Sequence, residues 1–165
     1  MLKTDYNAAI DAFVDEVPIN EFIKQHVEDV KKTFKITQSN NLRILRQCLW
    51  DFSRQEMLID KREDERFEQV VKCILCSFIA TYCEYKGING SALHKWRKIV
   101  NNDIPRNKDD KEQETILDIV RLMQHKYNEY PSTDSLEIFR SDIVNEIIGY
   151  IENGTFITDF IYEMT

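Results

Sequence analysis

The stretch Phe67-Glu68-Gln69-Val70-Val71-Lys72-Cys73-Ile74-Leu75-Cys76-Ser77-Phe78-Ile79-Ala80-Thr81-Tyr82-Cys83-Glu84-Tyr85 decides the fold. Val70, Val71, Cys73, Ile74, Leu75, Cys76, Phe78, Ile79, Ala80, Tyr82 and Cys83 leave it almost no polar face. A helix that is apolar on most sides is one that neighbours surround. The run therefore predicts a buried central helix, and the mixed-charge run Lys61-Arg62-Glu63-Asp64-Glu65-Arg66 before it reads as its solvated start.

Working outward, the flanking segments repeat apolar residues at helical spacing. Upstream lie Tyr6 to Val14, ended by Pro18, then a stripe of Phe22, Ile23, His26, Val27, Val30 and Phe34 opening near Asn20, then Asn41 to about Met57 with Leu42, Leu45, Cys48, Leu49 and Phe52. Downstream, Gly87-Ile88-Asn89-Gly90 ends the central helix, and Ser91 is expected to cap a short helix holding Leu93, Trp96, Ile99 and Val100. Asp109 or Asp110 is expected to cap a helix with Ile116, Leu117, Ile119, Val120, Met123 and Tyr127, which Tyr130-Pro131 stops. A further helix runs through Ile143, Val144, Ile147, Ile148 and Ile151, closed by Asn153-Gly154, and Phe156 to Met164 is a short apolar end. The expected class is all-α, an irregular bundle of about six to eight helices around a buried central one. Residues 1–102 read as one helical bundle, 103–110 as a polar loop, and 111–165 as C-terminal helices packing on the same core.

The totals agree with this picture. The chain has 165 residues, 42% hydrophobic and 31% charged, with only 4 Gly and 3 Pro. So little turn punctuation suits long helices better than a sandwich or barrel. The formal net charge of −7 argues against broad contact with nucleic acid or anionic membrane, which needs a concentrated positive face. No apolar run approaches the roughly 20 residues that span a bilayer. The start, Met1-Leu2-Lys3-Thr4-Asp5-Tyr6, lacks the basic-then-apolar pattern of a signal peptide, so a cytoplasmic location with reduced cysteines is expected.

Few motifs carry chemistry. Cys73-x-x-Cys76 lacks the second ligand pair of a zinc site and lies inside the most apolar helix, so core packing is the better reading. His26, His94 and His125 have no metal-ligand spacing between them, and His26 on an apolar stripe reads as a core histidine. No nucleotide-binding glycine loop or nucleophile elbow is present. No catalytic residue, no metal ligand and no cofactor is assigned to this chain alone.

One stretch resists that plain reading. On a helix starting near Asn41, Arg43, Arg46, Trp50 and Arg54 fall within about 80° of one another, opposite Leu45, Cys48, Leu49 and Phe52. Like charges repel and an indole is poorly placed in water, so such a face meets an acidic neighbour, another domain or phosphate. Alternatively, carboxylates of this chain neutralise the arginines while Trp50 packs under a neighbouring helix.

Ser39-Asn40-Asn41-Leu42-Arg43-Ile44-Leu45-Arg46 resembles the Gly-Asp/Asn-x-Arg opening of the sensor 2 helix in the lid of AAA+ and related STAND and KAP-type P-loop ATPases, with Ser39 where the family has glycine. The longer Asn41-to-Phe52 string, and more loosely Ile147 to Gly154, is similar to lids of large bacterial P-loop ATPases, some encoded in anti-phage defence loci. The resemblance implies that Asn41 holds the helix start and Arg43 reaches the γ-phosphate of ATP, with Arg46, Trp50 and Arg54 at the interface with the core or another subunit. ATP and Mg would enter only with a P-loop core, which this sequence does not contain; a permanent cation there makes lid closure depend on nucleotide. Two other readings stay open: an acidic stand-alone adaptor or inhibitor, of phage or plasmid type, binding a host protein; and a single-strand nucleic-acid contact through Arg43, Trp50 and Lys95-Trp96-Arg97-Lys98.

Overall fold

A computed structural model describes residues 6–16, 19, 21–56, 64–128 and 137–164. They form nine α-helices: α1 (Asn7–Val14), α2 (Glu21–Gln25), α3 (Val27–Thr37), α4 (Leu42–Glu56), α5 (Glu65–Lys86), α6 (Gly90–Val100), α7 (Lys111–Asn128), α8 (Ser141–Asn153) and α9 (Thr158–Met164), with no strand among the described residues. The all-α class and the buried central helix hold. The count exceeds the expected six to eight because the stripe from Phe22 to Phe34 is not one helix. It breaks at His26, whose φ of −113° and ψ of 25° leave helical geometry and separate α2 from α3.

α5 is the axis. Asp64 caps its start, accepting a hydrogen bond from the Phe67 backbone N–H at 3.1 Å, so the charged run does open the helix where it is described. Phe67, Val70, Val71 and every residue from Cys73 to Glu84 are buried. α3, α4, α6, α8 and α9 all pack on it. The turn into α6 is tight: a Cβ on Gly90 would lie 2.1 Å from the Tyr85 carbonyl oxygen, so only glycine fits. α6 begins at Gly90 with Asn89 at its N-cap position, so Ser91 lies inside the helix and does not cap it as expected.

The core divides in two. The larger cluster joins Ile10 and Val14 of α1, Ile23, Val30, Phe34, Leu45, Leu49, Phe52 and one side of α5 to Ile143, Ile147 and Ile161. The smaller joins Cys76 and Ala80 of α5 to Leu93, Trp96 and Ile99 of α6, Ile116, Val120, Met123 and Tyr127 of α7, and Val144 and Ile148 of α8. The 101–110 loop separates α6 from α7 in sequence, yet both helices build the same cluster. Asp110 caps α7, its Oδ1 accepting from Glu112 N at 2.9 Å and Gln113 N at 3.3 Å. Gly154, at φ 70°, closes α8 in the left-handed conformation. The expected punctuation at Pro18, Asn20 and Tyr130-Pro131, and the run Lys61 to Glu63, fall outside the described residues. No helix among the described residues is long and apolar enough to cross a membrane.

Candidate functional site

The site begins in the connector between α3 and α4. Gln38 turns left-handed at φ 58° to end α3. Hydroxyl and amide side chains then carry the backbone into the next helix: Ser39 N donates to Thr37 Oγ1 at 3.1 Å, Asn41 N to Ser39 Oγ at 3.1 Å, and Ile44 N to Asn41 Oδ1 at 3.3 Å. Asn41 is thus the N-cap of α4, satisfying one of the amide donors that a helix start leaves open. Its side-chain oxygen is committed to that task.

Arg43 follows in the first turn. It is exposed and makes no ion pair with any described residue. One turn on, Arg46 behaves differently. Its Nε donates to Glu16, 3.0 Å from Oε1 and 3.1 Å from Oε2, and its guanidinium lies over the Trp50 ring, 5.0 Å from the centroid. The Trp50 indole N–H donates to the same Glu16 Oε2 at 3.0 Å. Glu16 comes from the residues that follow α1, so the clamp ties the first helix to α4.

Arg54 turns away from that group. Though 65% exposed, its Nη2 hydrogen-bonds Asp51 Oδ1. The three guanidinium groups therefore differ: Arg46 stacks on Trp50 and pairs with Glu16, Arg54 pairs with Asp51, and Arg43 has no ion pair among the described residues, so neutralisation by carboxylates of this chain holds for two of the three. Asp51 is only 4% exposed and also accepts from Gln47 Nε2 at 3.1 Å and from the Tyr82 hydroxyl. Burial, reinforced by this carboxylate, pushes the Tyr82 phenol well above its usual range and the Tyr150 phenol up to about 12.

Two further polar nodes were not legible in the sequence. Glu84, 7% exposed, accepts from Lys126 Nζ and the Tyr127 hydroxyl, each at 2.8 Å, and from Asn89 Nδ2 at 3.0 Å. Lys126 also donates to the Thr37 carbonyl at 3.1 Å, tying α7 to the end of α3. Glu152 of α8 accepts from Tyr85 at 2.6 Å and lies 2.5 Å from His94 Nδ1 and 3.4 Å from Arg97 Nη1. Beside the first node lies a shallow pocket of about 230 Å³ lined by Glu84, Asn89, Ile119, Leu122, Met123 and Lys126. Leu122 is 69% exposed, and Ile88, next to Asn89, is 99% exposed.

The remaining candidates resolve into structure. Trp96 is buried in the smaller cluster, Lys95 pairs with Glu112 at 2.5 Å, and Arg97 donates to the Asn145 carbonyl at 3.3 Å. The Lys95-to-Lys98 group therefore offers no open indole for a base to stack on. The four cysteines are buried thiols without a disulfide. Cys73 and Cys76 sit in different core clusters, and burial pushes the Cys76 thiol up to about 12. Among the described residues, no group of three or more His, Cys, Asp or Glu side chains is arranged to hold a metal ion. His26 is mostly buried, with Nδ1 3.5 Å from Asp29 and Nε2 3.3 Å from Glu68, though the latter contact lacks hydrogen-bond alignment.

Comparison with protein-family models, with curated proteins and with solved structures gives no match to this chain.

Proposed function

We propose that this chain is a helical, lid-like regulatory and interaction domain that works with a P-loop ATPase core, supplies an arginine to it, and performs no catalysis alone. The observation that carries the reading is the contrast along α4. Arg46 and Arg54 are matched by carboxylates of this chain, whereas Arg43, in the first turn beside the Asn41 cap, is exposed and unmatched among the described residues. A guanidinium is always charged and its fork of donors suits phosphate oxygens. Held at the start of a capped helix, Arg43 meets the γ-phosphate when the lid closes, and closure becomes dependent on ATP. The protein partner is that core or a neighbouring subunit, the setting is the cytoplasm, and ATP with Mg belongs to the core.

The test is Arg43→Ala in the protein that joins this domain to its core. ATP turnover or ATP-driven assembly should fall by about tenfold or more; unchanged values would remove the sensor role.

A second reading is favoured by a different observation. Leu122 lines the pocket between α5 and α7 and is exposed, as is Ile88 in the turn after α5, as on an acidic adaptor that binds a host protein through an apolar contact. The DNA upstream of the Met1 codon separates the two. An open frame encoding a Walker A motif supports the lid, and a stop codon with a ribosome-binding site supports the adaptor.

A further inference from the structure

We propose that Arg46 and Trp50 form a recognition site for a carboxylate on an acidic segment of the protein partner, and that Glu16 fills this site while the partner is away. The inference rests on the outer face of α4 being the interaction face, and it names what that face reads.

The donor set comes first. The guanidinium Nε–H and the indole N–H converge on one oxygen, Glu16 Oε2, at 3.1 and 3.0 Å, while Glu16 Oε1 lies 3.0 Å from the same Arg46 nitrogen. An indole can only donate, so a half-buried one requires an acceptor. The stacked guanidinium, 5.0 Å from the ring centroid, is held in one orientation by the ring beneath it. Two fixed donors aimed at one point make a receptor for a planar anion, and the occupant observed there is a carboxylate.

Exchange is the second point. The Arg46 side chain is 49% and that of Glu16 25% exposed, so water screens the pair and holds it weakly. Rotation of the Glu16 side chain alone opens the site, with no movement of α4. The third point is stoichiometry. Arg43 and Arg46 are three residues apart, hence neighbours on the helix surface. Glu16 answers only one of them. While no nucleotide engages Arg43, a partner segment carrying two or more acidic residues answers both, and so outcompetes the resident carboxylate.

Glu16 is therefore an internal competitor, and removing it should tighten binding. The experiment uses this chain with Trp96→Phe, so that fluorescence reports Trp50, titrated with a hexaglutamate peptide and, separately, with pyrophosphate. Glu16→Gln should bind hexaglutamate about three- to sixfold more tightly than its parent, since the occupied fraction no longer subtracts from affinity. Adding Arg46→Ala to Glu16→Gln should abolish the gain, and adding Arg43→Ala should remove part of it. Glu16→Asp, one methylene shorter, should fall between parent and Glu16→Gln, and it keeps the test open if the glutamine variant melts early. Hexaglutamate affinity within about twofold of the parent in both Glu16 variants would overturn the proposal. So would a gain seen with pyrophosphate and not with the peptide, which would assign the clamp to phosphate. Failure of the Arg43→Ala turnover test leaves these titrations standing, because they involve no nucleotide and no ATPase core.

Discussion

Toward α3, α4 and α9, the central helix presents Val70, Ile74, Leu75, Phe78 and Ile79, and the contacts continue through aromatic rings, Phe22 to Phe52 to Phe78 to Tyr82. Toward α6 and α7 it presents the small side chains of Cys76 and Ala80, and the closure there depends on charge as well as apolar area. Glu84 binds Lys126 and Tyr127, and Glu152 binds Tyr85, His94 and Arg97. One helix thus serves two half-cores of different balance: the first leans mainly on apolar and aromatic contact, with Asp51 and Glu16 as its polar links, while the second joins α5 to α7 and α8 through the Glu84 and Glu152 networks. Apolar burial carries no titrating group, whereas hydrogen-bonded carboxylates are sensitive to pH. The comparison teaches that the α1–α4 side should behave as the rigid platform and the α6–α8 side as the adjustable one.

The largest effect should come from breaking the platform. Phe78→Ala removes a fully buried ring that touches Phe52, Tyr82 and Tyr150, and should cost about 3–5 kcal/mol in urea denaturation. Retained stability would mean that the ring chain does not hold this side together. Next, Glu84→Gln keeps the shape but gives up a charge-assisted acceptor for Lys126. A loss of about 1–3 kcal/mol is expected, with amide exchange rising in α7 more than in α3. Equal exchange in both helices would erase the distinction between the halves.

A pH series sharpens the comparison further. Burial alone would raise the Glu152 carboxyl, but hydrogen bonds from His94 and Tyr85 and the charge of Arg97 outweigh it and hold it below its ordinary 4.5. Because the folded value is the lower one, this contribution is complete above 4.5 and is lost as pH falls through the folded value. Thermal melts at pH values below 4.5 should therefore show the α6–α8 side loosening before the platform, with no such change at pH 5. At the basic end the sign reverses. Burial and Glu152 push the Tyr85 phenol up to about 12, so its contribution is present below the usual tyrosine value and disappears as pH rises towards 12. Phenolate absorbance should show Tyr85 and Tyr150 titrating later than an exposed tyrosine. The smallest effect belongs to Arg43→Ala, which should change stability by no more than about 0.5 kcal/mol while altering partner response. A large loss of stability would place Arg43 among the structural residues.

The architecture was legible where period and composition speak locally. The largely apolar run from Val70 to Cys83, interrupted only by Lys72, Ser77 and Thr81, announced α5, and the stripes opposite Arg43 and Arg46 announced α4. His26 hid the break between α2 and α3, because its neighbours keep helical spacing on both sides. The polar nodes stayed hidden for a different reason. Glu16 meets Trp50 across 34 residues, and Glu84 meets Tyr127 across 43. Single carboxylates look alike until tertiary packing chooses their partners. Only their position within otherwise apolar stretches, as at Asp51 and Glu84, offered a sign. The cation cluster on α4 was visible as a pattern, but which arginine would be left unmatched was not.

The placement of the thiols gives the molecule a built-in reporter. Cys48, Cys73 and Cys83 belong to one half-core and Cys76 to the other, and all four are shut away from water. A thiol-specific reagent can modify a sulfur only during the moments when its half has swung open. The order in which the four positions acquire adduct mass is therefore a clock for each half separately. It can be read on the unaltered polypeptide, without introducing a single probe.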